Sequence, residues 1–160
     1  MKKFIIASLF FFAPVAYLAE TPDMENLGKA MKLNCKTFGN DSCTSRFIAV
    51  SACTFAYVIA KSDKTVKESL DIADDLFVLL MRGNGLNPND MFDEKNLVKE
   101  SIKSETIERV EKCKEWTRAA IPKFVLERTG KEATPEFVDG ATKTFGFWWL
   151  GTLEQIKRGE

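Results

Sequence analysis

Four thiols, Cys35, Cys43, Cys53 and Cys113, are the side chains of this sequence best suited to covalent chemistry. A thiol can act as a nucleophile, a metal ligand or half of a disulfide. No histidine accompanies them, which removes the usual base for a catalytic cysteine or serine and the commonest metal ligand. There is no C-x-x-C pair, so neither a thioredoxin-type redox site nor a thiolate zinc site is indicated. An even number of cysteines behind an export-type leader points instead to two disulfides. Cys43 and Cys53 fall on one predicted helix, which sets their Cα atoms about 15 Å apart, whereas a bridge needs less than about 7 Å. Cys35 lies one turn away from the start of that helix, near Cys43 and far from Cys53. The expected pairs are therefore Cys35–Cys43, closing a turn, and Cys53–Cys113, tying two distant helices.

Carboxylates are the other candidates, because a glycosidase needs only two acids. Asp71, Asp74, Asp75, Glu105, Glu108, Glu111 and Glu115 have the right type. They are interleaved with lysines or lie away from the apolar stripes, at spacings such as Glu108–Lys112 that are ordinary on a solvated helix face. Gly83-Asn84-Gly85 lacks the preceding strand that a phosphate-binding loop would need. The expectation is a protein that is not an enzyme and takes no cofactor or metal. With 23 basic and 23 acidic side chains there is also no electrostatic footprint for nucleic acid.

The aromatic run Phe145-Gly146-Phe147-Trp148-Trp149-Leu150 is the least ordinary feature. Successive helical residues point about 100° apart, so the run covers most of a helix circumference. Phe145, Trp148 and Trp149 can cover a core, with Phe147 and Leu150 pointing elsewhere. Either the helix packs between two others, or Phe147, Trp148 and Trp149 form a partner-binding patch, since tryptophans are enriched at binding hot spots. A lipid-surface role would pair the tryptophans with Lys143, Lys157 and Arg158.

The elements that must position these residues read as helices throughout. Met24 to Lys36 has near-helical apolar spacing, and Phe38 to Ser42 is a turn cluster. A helix follows from about Cys43 to Lys61; from Phe47 to Ala60 it carries no charge, which places it at the centre of a bundle. That stretch is shorter than a membrane span. Ser62-Asp63 reads as the next cap, ahead of a helix whose face is Val66, Leu70, Ala73, Phe77 and Leu80 and which stops at Gly83-Asn84-Gly85. Met91 to Trp116 is helical by composition, with a break near Lys103-Ser104, and Pro122 interrupts before a short piece from Lys123 to Arg128. Thr134-Pro135 opens the last helix, whose stripe is Phe137, Ala141, Phe145, Trp148 or Trp149, and Ile156.

Residues 1–19 read as an export signal: Lys2 and Lys3, then an uncharged apolar run from Phe4 to Ala19, ended by Glu20. The alternative is an uncleaved anchor. Removal of the leader takes both lysines and leaves residues 20–160 as one mildly acidic domain in an oxidising compartment, most simply the periplasm.

Ser51-Ala52-Cys53 with Tyr57-Val58 and Asp63, then Leu79-Leu80, Asn87-Pro88 and Leu97-Val98, is similar to a segment of small periplasmic immunity proteins. These are the helical, disulfide-containing inhibitors of secreted peptidoglycan amidases, the Tai-type family. The resemblance covers about residues 43–115 and implies a helical fold and a protein partner. The aromatic C-terminal helix lies beyond it.

The fold expected is all-α, a compact bundle of about five helices stapled by two disulfides. The function expected is exported, non-catalytic protein binding, inhibitor-like, with a membrane involved only through the leader or a weak surface contact. The rival is a carrier of a small apolar ligand, with its cavity between the helix of Cys43–Lys61, the helix that follows it, and the last helix.

Overall fold

The structure is a computed structural model and describes residues 35–159. Within them the fold is all-α with two disulfides. Residues 35–38 are helical and precede five α-helices: α1 (Asn40–Lys61), α2 (Val66–Gly83), α3 (Glu100–Val110), α4 (Lys114–Thr129) and α5 (Pro135–Arg158). Short 3-10 turns lie at Pro88–Met91 and Glu111–Cys113. The leader, and nearly all of the helix expected over Met24 to Lys36, lie outside the described residues.

The charge-free stretch of α1 is the centre of the molecule. Phe47, Ile48, Ala52, Phe55, Ala56 and Ile59 are all buried, and α2, α3 and α4 pack along α1. The small residues Ala49, Ser51, Ala52 and Ala56 let those neighbours approach from several sides. The helix is longer than expected: Gly39, at φ 83°, is its N-cap, so Asn40, Asp41 and Ser42 form its first turn. At 22 residues it is long and apolar enough to cross a membrane. Here its faces are covered by the other helices of its own chain.

Local sequence explains the helix ends. Thr65, rather than Ser62-Asp63, caps α2: its hydroxyl accepts from Glu68 N while the Glu68 carboxylate accepts from Thr65 N at 2.9 Å. Ser62 instead ends α1, its N–H donating to Val58 O. Glu127 of α4 accepts from Val66 N at 2.9 Å, placing a negative charge at the positive end of α2. Thr134 caps α5 as expected, and Gly130 closes α4 in the left-handed region at φ 68°.

Three expectations about the middle of the chain are corrected. Residues 92–99 are not helical: Phe92 and Val98 form an antiparallel bridge, and the Asp93 carboxylate accepts from Lys95 N and Leu97 N. An aspartate that satisfies these backbone donors competes with helix formation. The break before Trp116 falls at Glu111–Cys113 rather than Lys103-Ser104, where the chain tightens and turns from α3 into α4. Pro122, in turn, sits inside an unbroken α4. It faces solvent, so the carbonyl it leaves without a helical donor is not trapped in the core.

The disulfides are Cys35–Cys43 and Cys53–Cys113, with Cα separations of 5.2 Å and 5.8 Å. The second joins the middle of α1 to the α3–α4 corner. It holds the central helix against the start of α4, one of the two helices that shape the site.

Candidate functional site

Helices α4 and α5 form a hairpin that opens into an apolar cleft of about 490 Å³. Thr117, Ala120, Ile121, Phe124 and Val125 line it from α4, at spacings of three and four residues that make one helix face. Phe137, Gly140, Ala141, Thr144, Phe145 and Trp148 do the same from α5, and Phe55 of α1 is the floor. The space exists because the residues facing one another are small: Ala120 and Thr117 on one side, Gly140, Ala141 and Thr144 on the other. Beyond its own stretch of helix, no heavy atom lies within 4 Å of where a Cβ on Gly140 would stand.

The walls are held by aromatic packing. The Phe55 ring is 5.2 Å from Trp149, 5.9 Å from Trp148, 6.3 Å from Phe124 and 6.5 Å from Phe145, centroid to centroid. Phe124 meets Trp148 edge-on at 5.3 Å, a favourable aromatic geometry. Arg128 lies 5.8 Å over the Phe124 ring, and an Arg118–Asp139 ion pair links the two helices.

The lining offers almost nothing for a directional contact. Its two hydroxyls are committed to backbone: Thr117 Oγ1 donates to Cys113 O at 3.3 Å and Thr144 Oγ1 to Gly140 O at 3.0 Å. An occupant is therefore selected by shape and apolarity, through area removed from water.

The three aromatic site residues expected from sequence separate. Phe147 is 61 % exposed and Trp148 38 % exposed, with one side of its ring in the cleft, while Trp149 is 4 % exposed and belongs to the core. Trp149 is thereby removed from the surface patch, because its direction on α5 aims it at α1. Leu150, expected to point elsewhere, is also core, and Phe137 and Ile156, expected in the core stripe, are exposed. Phe147 lies within about 20° of Gly140 around the helix axis, so it continues the cleft's rim along α5. Sequence reasoning missed Phe55, Phe124, Gly140 and Ala141 as lining. The available signal was small residues at three- and four-residue spacing on the facing sides of α4 and α5.

A second, smaller pocket of about 250 Å³ lies between α1, α2 and α5, where the rival reading placed a cavity. It is lined by Leu70, Ala73, Phe77, Asp71 and Asp74 of α2, Ser51 of α1, and Trp149, Thr152, Leu153 and Ile156 of α5.

Of the seven carboxylates weighed for catalysis, Asp71 pairs with Lys67 at 3.1 Å and Glu105 with Arg109. Glu105 also accepts from Ser42 Oγ at 2.8 Å. Burial works against its ionised form, but the hydrogen bonds and the Arg109 and Arg46 charges outweigh it and hold the carboxyl below the usual glutamate range. Asp74 moves the other way: burial, then the neighbouring Asp75 and Asp71 charges, push it above the usual aspartate range.

Compared with known protein families, curated proteins and solved structures, the chain matches none.

Proposed function

We propose that this is an exported, non-catalytic binding domain that takes an apolar element of a partner protein into the cleft between α4 and α5. The observation that carries the reading is the cleft, an open apolar groove bordered by the exposed rings of Phe137 and Trp148, with the exposed Phe147 two turns along α5 from Gly140. Grooves of this kind take the apolar face of an amphipathic helix, read by side chains three, four and seven residues apart. The two disulfides are compatible with an oxidising compartment, and the leader-like residues 1–19 support export to the periplasm. Immunity-type inhibition of a secreted amidase is the instance suggested by the resemblance over residues 43–115. The cleft adds a docking surface beyond that segment.

A second reading, carriage of a small apolar ligand, is favoured by the cleft's volume, which falls within the roughly 300–1,000 Å³ of ligand sites. One substitution tests both. Gly140→Leu projects a side chain into open space and fills the groove. Protein purified from its own compartment without denaturant is examined by native mass spectrometry and by pull-down, alongside this variant. A protein partner that is captured by the wild type and lost with Gly140→Leu supports the proposal. A small-molecule excess mass that the variant loses supports the carrier. Equal capture by both proteins excludes the cleft as the site.

A further inference from the structure

Helix α5 keeps one side open along its middle turns. At about 100° per residue, Gly140, Thr144, Phe147 and Gly151 fall within about 60° of one another around its axis. Gly140, Thr144 and Phe147 are exposed and Gly151 is half-buried. The residues beside this strip turn elsewhere: Gly146 faces Ile107 of α3, while Ala141 and Phe145 line the cleft towards α4. Beyond α5's own backbone, no heavy atom lies within 4 Å of a Cβ built at Gly140 or Gly151. Steps of four, three and four residues are the spacing of a heptad seam, the pattern by which two helices interlock.

The seam is its own complement. Laid antiparallel on a second α5, about a two-fold axis midway between Phe145 and Gly146, Phe147 falls opposite Thr144 of the second copy and Gly140 opposite Gly151. Each ring then meets a smaller residue, and bare backbone meets bare backbone, which lets the helix axes approach closely. That is the condition of a two-fold contact, in which one patch must fit itself. Trp148, beside the seam, reaches towards Ala141 of the second copy, again large against small. Charge does not oppose the pairing, since Lys143 is the only charged residue from Gly140 to Gly151. One lysine, with Glu136 and Asp139 close by in sequence, is also too little positive charge for an anionic lipid surface.

The exposed area sets the strength. Phe137 is 54 % exposed, Phe147 61 % and Trp148 38 %. At roughly 200 Å² for an aromatic side chain, these exposed parts come to about 300 Å² in each copy. With the seam backbone and the cleft mouth added from both copies, the pair reaches the ~1,000 Å² at which specific interfaces begin. An area of that size fits a weak, reversible dimer.

We propose that the protein associates with a second copy of itself through the outer face of α5, as an antiparallel two-fold pair centred between Thr144 and Phe147. Phe137 and Trp148 border the cleft between α4 and α5 as well, so pairing covers the mouth of that cleft. The inference does not rest on what the cleft takes, because self-association needs no other partner.

Sedimentation equilibrium of the protein purified from its own compartment, from about 5 to about 500 μM, spans the range of a weak interface. The wild type is expected to pass from monomer to dimer across it. Phe147→Glu puts a charge into the seam, and Gly151→Arg fills the close approach to Gly140 of the second copy. Neither residue lines the cleft, so capture of a partner there is read separately. Both positions are open in the monomer, and circular dichroism checks that each variant keeps its helices. Each is expected to weaken dimerisation by about tenfold or more. Orientation is read by mixing Gly140→Cys with Gly151→Cys, which are expected to cross-link to each other faster than either does to itself. A wild type that stays monomeric overturns the proposal and leaves the seam to a different partner. So does association unchanged in either variant, or cross-linking that favours like with like.

Discussion

The adjacent pair Trp148 and Trp149 shows how far one residue's environment can differ from the next. Trp149 packs against Phe55 at 5.2 Å in the core, while Trp148 borders an open cleft. Trp149→Ala should therefore cost about 3–5 kcal/mol, as large-to-small changes in cores do. Phe147→Ala should stay within about 0.5 kcal/mol, as an exposed position away from the core. Urea unfolding of the two variants separates these outcomes, and a Phe147 change as costly as the Trp149 one would place Phe147 in the packing. Glu105 is one residue with a pH signature. Its folded pKa is depressed, so the stability it contributes is present above the unfolded glutamate pKa and is lost as pH falls through the folded value. The advantage of the wild type over Glu105→Gln should thus shrink on acidification. Unfolding midpoints measured across the acid range check the sign, and an advantage that grows towards low pH would contradict it.

Among the elements, α5 carries three glycines, two of them with opposite roles. Gly140 lies on the cleft, and a Cβ there meets nothing, whereas a Cβ on Gly146 would sit 3.3 Å from Ile107 Cα of α3. Gly140→Ala should stabilise the protein by about 0.5–1 kcal/mol through helix propensity. Gly146→Ala should destabilise it, because the helix crossing must open to admit the methyl group. Thermal unfolding of the pair distinguishes a propensity effect, which would have one sign at both positions, from close packing, which has opposite signs. The cap of α2 is a further element-scale device: Thr65→Ala removes the acceptor for Glu68 N and should cost about 1 kcal/mol. Ser62-Asp63 and Thr65 are all good caps by type; Thr65 has Glu68 three residues on to complete the capping box, and Glu127 of α4 adds an acceptor for Val66 N.

For the molecule as a whole, the disulfides rank by the loops they close. Cys53–Cys113 spans 60 residues and Cys35–Cys43 spans 8. In the loop-entropy description these correspond to about 4 and about 2–3 kcal/mol. Replacing Cys53 and Cys113 together by Ala should lower stability more than replacing Cys35 and Cys43. Guanidinium unfolding of the two double variants compares them directly. The longer bridge also fixes the α3–α4 corner against α1, so its loss should weaken occupancy of the cleft as well as stability.

The all-α class, the central place of Phe47–Ala60, the cap at Thr134 and both cysteine pairings were determined by sequence. These depend on short-range spacing and on the fixed rise of a helix, which hold before any tertiary contact forms. The environments of Phe147, Trp148 and Trp149 were not so determined, since a helix with rings on most of its circumference takes its buried side from the neighbours it meets. The course of residues 92–99 depended on Asp93 finding backbone donors, which composition does not reveal. The cleft between α4 and α5 came only from the tertiary structure. A cavity is the space left where facing helices carry small residues, and Phe55, Ala120 and Gly140 reach that juxtaposition only after α1, α4 and α5 have packed.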